Sequence, residues 1–451
     1  MNLFGLGKIR IRYIFLFVSV TLTMVSFLLG GYVQKKCLYP FCMEEGSESA
    51  LSVEPDEHGV YSEWKSLRTG LLEVRVDRVD LPAEGPYKNT PLDWAYGDLA
   101  PLSDGMLTAT SAGVLYFVDE NLHVHSVDGR IPFSRETFDR DTASRHISRA
   151  WFGVKDLMVQ ESPTAPTRLF ASYHHWNSDR RCFTLRVDMT TLVGEGHAYA
   201  VREPWTTIYD TRPCLPLKDR GHSFAGHQSA GRIVSYSDTE ILLSLGDNEF
   251  EGVNGELLVT DSTTSYGKIL AINPATRVSR IVSMGHRNPQ GLHVDANGTV
   301  WSTEHGPQGG DELNRIVSGA HYGWPHVTYG TNYGTFEWPL SKTNGEHVGY
   351  RRPVFSWFPS IGVSEMTSVQ KPLFSPWKGD LLITSLKTRS LYRTRIREGR
   401  VVYTEPIEMP DRIRGIAELR DGSIAIKCAG GYIARLRPAT IAGALAVAPA
   451  N

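Results

Sequence analysis

Short apolar runs separated by tight polar turns recur along most of this chain. The copies are LAPLSDGMLTAT (99–110), RIVSYSDTEILLSLGD (232–247), LHVDANGTVWSTE (292–304) and IAELRDGSIAIKC (416–428), with looser ones in VKDLMVQESPTAPTRLFASYHH (154–175) and LFSPWKGDLLITSL (373–386). Each predicts a β-hairpin whose turn sets the strand register. Units spaced roughly 40 to 80 residues apart predict an all-β fold, a six-bladed β-propeller built from small antiparallel sheets. An irregular pair of β-sandwiches is the alternative, but it gives no reason for the repeat.

A long apolar stretch without charge occupies residues 13–34, YIFLFVSVTLTMVSFLLGGYVQ, and can cross a bilayer as a helix. Lys8, Arg10 and Arg12 precede it and the acidic MEEGSES follows it. The positive-inside rule therefore places the N-terminus in the cytoplasm and the bulk of the chain across the membrane. A cleaved signal peptide is the alternative. The stretch is long for one and no small-x-small site closes it, which favours an uncleaved signal anchor.

These patterns predict five segments. They are a cytoplasmic N-terminus (1–12), a transmembrane signal-anchor helix (13–34), a polar linker (35–75), the propeller domain (76–437) and a low-complexity tail (438–451).

Composition narrows the possible partners. The chain has 451 residues, 41% hydrophobic and 21% charged, with a net charge of -2. This near-neutral balance argues against nucleic acid, because proteins that bind it usually carry a basic excess or stripe.

The cysteines fit an exported protein only loosely. Cys37 and Cys42 flank a short loop after the apolar stretch, whereas Cys182 and Cys214 could pair within the domain and leave Cys428 single. Connectivity cannot be read from sequence, so free thiols stay open as the alternative.

Propellers concentrate chemistry on loops at one end of the central channel, so polar clusters at strand ends are the candidates. In GHQSAGRI, His227 is a candidate general base, with Asp247 after the next strand to fix its orientation. In MGHRNPQG, Arg287 and Asn288 could form a rigid donor pair aimed at a developing oxyanion. A structural loop histidine and a plain turn are the alternatives.

The stretch EHGPQGGDELNRIVSGAHYGWP (304–325) combines acids with glycines and prolines that expose main-chain carbonyls. Hard oxygen ligands of this kind suit Ca²⁺ rather than zinc, although the spacing is not that of an EF-hand. The alternative is an acidic turn that caps a short helix, DELNRIVSG.

A basic group follows near the C-terminus. Lys387 lies in TSLKTRS, and Arg412 and Arg414 alternate along DRIRG, so their side chains point the same way. Guanidinium groups bind carboxylates in bidentate fashion, so a ligand with several carboxylates would explain these residues and the calcium stretch together. A solvated charge run is the alternative.

Taken in order, HQSAGRI, GHRNPQGL, TEHGPQGGDELNRIVSGAHYGWP, TSLK and RIR resemble the soluble quinoprotein glucose dehydrogenases and aldose sugar dehydrogenases, the glucose/sorbosone dehydrogenase family. The resemblance spans roughly residues 90–436 and is densest at 285–325. It implies a six-bladed propeller that binds pyrroloquinoline quinone (PQQ) and Ca²⁺.

The resemblance also implies roles for individual residues. His227 would take the proton of the substrate hydroxyl, Asp247 would orient His227, and Arg287 would stabilise charge on the quinone oxygen. The implied cofactor-binding residues are Gln228, Arg287, Asn288, Trp357, Lys387, Arg412 and Arg414. The implied calcium ligands are the carbonyls of Gly306 and Pro307, with Glu312 and Tyr322 at a neighbouring calcium position.

Some positions depart from the family pattern. Gly226 stands where the glucose enzymes have Asp before the catalytic histidine, and His305 stands where they have Gln. Asn332 falls near an expected carboxylate of a second calcium site. The membrane anchor and YHHWNSDRRC (173–182) are also outside the soluble pattern, so the identity of the sugar stays open.

The sequence therefore predicts a membrane-anchored, periplasm-facing PQQ- and calcium-dependent dehydrogenase of the inner membrane. Its expected partners are an aldose sugar or related alcohol or aldehyde and a quinone or cytochrome of the respiratory chain. A calcium-dependent propeller lactonase is one alternative, although it has no use for Lys387, Arg412 and Arg414. A non-catalytic binding propeller is another, although it would not need His227 with Asp247.

Overall fold

Strands make up nearly all of the regular structure, as the alternating pattern predicts. The computed structural model describes residues 53–82, 99–144, 151–217, 226–253, 256–335, 337–341 and 345–439. The helical elements of these ranges are α1 (Arg135–Asp141) and a 3₁₀ helix (Pro372–Trp377). The prediction of an all-β fold is confirmed.

The strands, in chain order, are β1 (Val60–Arg68), β2 (Glu73–Asp80), β3 (Leu99–Leu102), β4 (Gly105–Ala109), β5 (Val114–Asp119), β6 (Val124–Arg130), β7 (Val154–Gln160), β8 (Arg168–Asn177), β9 (Cys182–Val193), β10 (Ala200–Asp210), β11 (Leu215–Pro216), β12 (Ala230–Ser235), β13 (Ile241–Leu245), β14 (Lys268–Ile272), β15 (Ser279–Met284), β16 (Pro289–Val294), β17 (Val300–Glu304), β18 (Asp311–Ile316), β19 (Phe355–Trp357), β20 (Val363–Ser368), β21 (Leu381–Ser385), β22 (Ser390–Arg397), β23 (Arg400–Glu408), β24 (Ile413–Glu418), β25 (Ile424–Cys428) and β26 (Tyr432–Pro438).

Consecutive strands pair in antiparallel four-strand meanders. Three of these, β12 to β15, β16 to β19 and β20 to β23, are separate sheets. Two more, β3 to β6 and β7 to β10, join through one parallel pairing of Ala200 with Asp128 into a larger sheet that also holds β11. The turns found in the sequence lie between strands of these meanders, as at Asp104–Gly105 and Asn297–Gly298.

Both ends of the described chain meet in one five-stranded sheet, called here the closing sheet. Strand β2 pairs with β26 from Val74 opposite Pro438 to Asp80 opposite Tyr432, in the order β1-β2-β26-β25-β24. Across this seam, Asp77 Oδ2 accepts hydrogen bonds from Arg435 at 3.2 Å and Arg437 at 2.6 Å.

The first strands of the sheets line up side by side. In turn, β3, β7, β12, β16 and β20 each contact the next, β20 contacts β24, and β24 contacts β3. Hydrophobic clusters fill the spaces between adjacent sheets: one includes Phe170 and Leu243, and another includes Leu313 and Ile383. The sheets therefore form a closed ring around their first strands.

The ordered fold begins earlier than predicted. Residues 35–75 read as a linker, but β1 and the start of β2 lie in this range, and Val60 and Leu67 are buried. Strand β1 is the edge of its sheet, so the polar side chains that made it resemble a linker face solvent.

The predicted transmembrane helix at 13–34 and the pair Cys37 and Cys42 lie outside the described residues. Within the described ranges, no helix combines the length and apolar character that crossing a membrane requires.

Cys182 and Cys214 form a disulfide, which confirms the predicted pair. The bond ties the start of β9 to the residue before β11, which pairs with β9. Cys428 is a buried free thiol in the core of the closing sheet.

Removing this disulfide should destabilise the fold measurably. The bond closes a loop with a sequence separation of 32 residues. A loop of that size is expected to contribute about 3–4 kcal/mol through the entropy of the unfolded chain. The double variant Cys182→Ser/Cys214→Ser should lose about this much free energy of unfolding in urea titrations. Equal stability of the variant and the oxidised wild type would contradict the prediction; reducing agent should affect only the wild type.

Candidate active site at one end of the ring

Most of the predicted site residues lie where the first strand of a sheet begins or where its second strand ends. In an antiparallel hairpin these two points lie at the same edge, as shown by Ala230 opposite Leu245 and Pro289 opposite Glu304. His227 and Gln228 precede β12, Asp247 follows β13, and Arg287 and Asn288 precede β16. Gly306 and Pro307 follow β17, Lys387 follows β21, and Arg412 precedes β24. The hairpin geometry thus brings residues far apart in sequence to one end of the ring.

Main-chain hydrogen bonds connect the segment after β13 both to the loop that carries His227 and to the loop that carries Arg287. Asn248 N donates to Gln228 O at 3.2 Å, and Asp247 N donates to Arg287 O at 2.8 Å. A Cβ at Gly246 would lie 1.7 Å from Gln228 O, so only glycine permits this approach. Gln228 and Arg287 are therefore held on either side of residues 246–247.

His227 lies beside Glu249 rather than Asp247. Its Nδ1 is 3.5 Å from Glu249 Oε1, and its ring meets Trp151 edge-to-face with centroids 4.9 Å apart. Both His227 and Glu249 are partly exposed. Glu249 was not found from sequence, although its position two residues after Asp247 was an available signal.

Asp247 is directed into the interior instead. Its Oδ2 accepts from Trp324 Nε1 at 2.8 Å, and its Oδ1 accepts from Glu249 N at 2.9 Å. Burial raises the pKa of Asp247 to about 8. The predicted contact in which Asp247 orients His227 is thus replaced by one from Asp247 to Trp324, a partner that the sequence prediction missed.

Arg287 connects the loop before β16 to the glycine-rich loop between β17 and β18 (residues 306–310). Its Nη1 donates to Gly306 O at 2.9 Å and to His305 O at 3.3 Å, and its guanidinium lies 5.4 Å from the Trp324 ring centroid. Its Nε is buried without a hydrogen-bond partner among the described residues. Asn288 Nδ2 lies 3.3 Å from His305 Nδ1, and Asn288 Oδ1 accepts from Gln290.

Asp311 holds the glycine-rich loop against the next sheet. Its Oδ1 accepts from Gly306 N at 3.2 Å and Ser360 Oγ at 2.9 Å. Its Oδ2 accepts from Gly362 N at 2.6 Å and Val363 N at 3.2 Å. The helix considered for DELNRIVSG is wrong, because Asp311–Ile316 is strand β18.

The two carbonyls predicted to bind calcium lie on this loop and already accept hydrogen bonds. Gly306 O accepts from Arg287, and Pro307 O accepts from Tyr333 OH at 2.9 Å. A carbonyl oxygen has a second lone pair, so these contacts leave room for a cation.

Glu304 and Glu312 face each other directly across β17 and β18, and both are buried. Asn314 Nδ2 donates to both, at 3.2 and 3.1 Å. Burial raises the pKa of Glu304 to about 7, and burial beside Glu304 raises that of Glu312 well above its usual value. Glu304 was missed from sequence, although the hairpin turn between the two acids was a signal for their pairing.

A small cavity of about 10 Å³ adjoins this pair, lined by Glu304, Glu312, Gly306, Arg287 and Tyr322 among others. The hydroxyl of Tyr322 donates to Arg315 O and accepts from Val317 N at 3.0 Å. The predicted calcium-position residues Glu312 and Tyr322 therefore do lie together.

The basic residues surround a larger cavity. Its volume is about 480 Å³, and Lys387, Arg412, Arg389, Asp411 and His305 line it. Arg414, on β24, is half-buried, and its carbonyl accepts from Arg232 at 3.0 Å.

Trp357, also predicted to bind the cofactor, is a buried residue. It belongs to the core between two sheets, with Leu313 and Ile361, rather than to the wall of this cavity. Its indole Nε1 is buried without a hydrogen-bond partner among the described residues.

Comparison with known proteins identifies the family of this chain. Residues 97–433 match the model of the Glucose / Sorbosone dehydrogenase family. The chain belongs to this family. The aldose sugar dehydrogenase YliI of Escherichia coli (strain K12) is 32% identical over 315 residues, 66% of this chain and 78% of the relative.

Solved structures share the fold. The apo form of the Escherichia coli aldose sugar dehydrogenase aligns with a TM-score of 0.65 at 23% identity, over 81% of this chain and 100% of that one. The PQQ-bound aldose sugar dehydrogenase of Streptomyces coelicolor aligns with a TM-score of 0.57 at 18% identity, over 81% and 98%. As a glucose/sorbosone dehydrogenase family member, this protein is an oxidoreductase, a PQQ-dependent sugar dehydrogenase; Ca²⁺ is typical of the family.

Replacing Asp311 should loosen the site without removing any proposed ligand. In Asp311→Asn, an amide NH₂ faces N–H donors and one acceptor is lost, so the free energy of unfolding should fall by about 1–3 kcal/mol. Chemical denaturation measures this, with the exposed Asp238→Asn as the control. A stability loss no larger than that of the control would show that Asp311 does not hold the loop.

Proposed function

We propose that this protein is a membrane-anchored, PQQ- and calcium-dependent dehydrogenase with a six-bladed propeller, oxidising an aldose sugar or related alcohol or aldehyde on the periplasmic side. The observation that carries the proposal is the meeting of His227, Arg287 and the basic cavity around Lys387 and Arg412 at one end of the ring. The five complete meanders together with the closing sheet support the count of six blades.

Polar atoms without partners support cofactor binding here. Gln228 Oε1 and Arg287 Nε are buried and lack hydrogen-bond partners among the described residues. Such atoms are costly to bury unless a ligand satisfies them. Gln228 also has a positive φ of 54°, a conformation that non-glycine residues rarely adopt except where surrounding contacts or function require it.

The basic residues match the three carboxylates of PQQ. Lys387 and Arg412 line the cavity of about 480 Å³, and Arg414 follows Arg412 by two residues on β24. These cations would hold carboxylates, whereas Gln228, Asn288 and Arg287 would contact the ring system. When bound, the cofactor accepts a hydride from the substrate carbon.

His227 is suited to receive the proton of the substrate hydroxyl. It is partly exposed, so a substrate can reach it, and Glu249 stabilises the charge that the imidazole gains. Trp151 packs against its ring and limits its orientation. Asp247 acts indirectly in the site: it accepts a hydrogen bond from Trp324, and the Trp324 ring in turn packs against the guanidinium of Arg287.

Two neighbouring positions could take calcium. The carbonyls of Gly306 and Pro307 are one set of donors, and the pair of Glu304 and Glu312 with Tyr322 is the other. Buried like charges directly opposite in a sheet repel each other, and a divalent cation removes that repulsion. Since the Tyr322 hydroxyl is used within its own loop, its main-chain carbonyl is the atom we assign as a ligand.

The proposals of membrane attachment and of electron transfer to the respiratory chain are supported by the sequence. The uncharged stretch at 13–34 with basic residues before it supports an inner-membrane anchor and a periplasmic catalytic domain. A quinone or cytochrome of the respiratory chain would then receive the electrons.

Replacing His227 should separate catalysis from cofactor binding. The full chain, loaded with PQQ and Ca²⁺, is screened against aldoses with an artificial electron acceptor. In His227→Asn, kcat on the best sugar should fall on the order of 100-fold or more, because a general base is lost. PQQ uptake, followed by its absorbance, should stay unchanged.

The exposed His58→Asn serves as the matched control and should retain full activity. Failure of the wild type to take up PQQ at any calcium concentration would overturn the proposal. Activity of His227→Asn within a few-fold of the wild type would reject His227 as the base.

Calcium should stabilise the wild type through Glu312. With chelator present, Glu312→Gln should melt at a higher temperature than the wild type at pH 8, because it removes one of two facing buried carboxylates. Saturating Ca²⁺ should raise the Tm of the wild type by several degrees and that of the variant by much less. The exposed Glu408→Gln should respond like the wild type. An equal calcium response of Glu312→Gln and the wild type would contradict the assignment.

A further inference from the structure

A group of imidazoles and one carboxylate lies where two meanders meet, apart from the candidate active site. Asp119 ends β5, His125 lies on β6, and His197 lies in the turn between β9 and β10. One ligand atom from each of these residues lies within 4.8 Å of the other two. None of the three has a role in the dehydrogenase reaction proposed above.

The distances suit a tetrahedral metal ion. Asp119 Oδ2 is 3.3 Å from His125 Nε2, and His125 Nε2 is 3.0 Å from His197 Nδ1. Zinc–ligand bonds of about 2.0–2.2 Å at tetrahedral angles place ligand atoms about 3.3–3.6 Å apart. The group therefore needs only small side-chain adjustments to surround an ion.

Hydrogen bonding alone satisfies this arrangement poorly. His125 Nε2 faces a carboxylate oxygen on one side and another imidazole nitrogen on the other. A neutral imidazole nitrogen carries either one hydrogen or one lone pair, so it serves one of these neighbours well. An ion between the three atoms would serve all of them.

The carboxylate is fixed by its surroundings. Asp119 Oδ1 accepts from Asn121 N at 2.8 Å and from His123 N at 2.9 Å, so Oδ2 is left to face the imidazoles. The side chain of His123 also approaches this oxygen, with Nδ1 at 3.4 Å.

The turn that carries His197 is held from a different part of the chain. Asp104 Oδ2 accepts from Gly196 N at 3.0 Å, and Asp104 Oδ1 accepts from Tyr199 OH at 2.8 Å. His125 and Tyr199 both contact the Phe117 ring, with centroids 6.1 and 4.8 Å away. The ligand-bearing segments are thus ordered by contacts that do not depend on the ion.

We propose that Asp119, His125 and His197 bind a divalent transition-metal ion, with the chemistry of Zn²⁺, that joins the two meanders. Two imidazoles and one carboxylate suit such an ion, whereas Ca²⁺ and Mg²⁺ prefer oxygen donors alone. The junction that it would strengthen is the single parallel pairing of Ala200 with Asp128. His197 is exposed, so the ion has a path from solvent and a position open to water.

Metal titration of the full chain tests this proposal. The protein is purified without a histidine tag, stripped with chelator, dialysed into excess Ca²⁺ and titrated with ZnCl₂ in a calorimeter. The wild type should bind one Zn²⁺ per chain despite the calcium, and its Tm should rise by several degrees. His197→Gln and His125→Gln should each weaken this binding by about 100-fold or more, since even the loss of a supporting residue can cost up to that much.

The exposed His58→Gln, a neighbouring imidazole outside the group, is the control and should bind as the wild type does. Because His197 is exposed, its replacement should leave the metal-free Tm unchanged. Absence of stoichiometric Zn²⁺ binding by the wild type, or equal affinity of the wild type and His197→Gln, would overturn the proposal. Neither result depends on PQQ or on sugar oxidation.

Discussion

The pairing of β2 with β26 is the constraint on which the rest of the structure depends. It joins the two ends of the described chain in one sheet, and the first strands then close into a ring. The seam buries Val74 and Val76 completely, and full burial of an apolar side chain of this size contributes about 1.5–3 kcal/mol. The contacts of β24 with β20 on one side and with β3 on the other then fix the position of the loop that carries Arg412.

Local chemistry explains what the sequence could predict. Asp-Gly and Asn-Gly turns favour hairpins through the backbone conformations of the turn itself, so the meanders were predictable from short windows. The edge strand β1 was not, because its alternation is interrupted by a register shift between Tyr61 and Lys65 and its outer side chains are charged. That the motifs cluster could be predicted, because strand ends lie together at one edge of each sheet. The individual side-chain contacts within the cluster could not be predicted in this way. Asp247 contacts Trp324, 77 residues away, and nothing near Asp247 in the sequence indicates that choice.

Buried charges in the inner strands follow two patterns. Arg232 on β12 lies 3.3 Å from Asp156 on β7 and 2.5 Å from Glu365 on β20, so the protein neutralises this group by itself. Glu304 and Glu312 instead face each other with an amide between them. The first arrangement ties three sheets together, whereas the second places two buried carboxyl groups, both with raised pKa values, beside the glycine-rich loop.

His305 joins two neighbouring sheets through both nitrogens of its ring. Asn288 Nδ2 donates to its Nδ1, and its Nε2 donates to the carbonyl of Val363, so the neutral ring acts as one acceptor and one donor. Burial lowers the pKa of His305, which keeps it in this neutral form. A glutamine amide offers the same pair of functions in a side chain of similar reach. His305 therefore connects the loop before β16 to strand β20 of the next sheet, and this connection depends on the ring having one acceptor and one donor nitrogen, functions that a glutamine amide also provides.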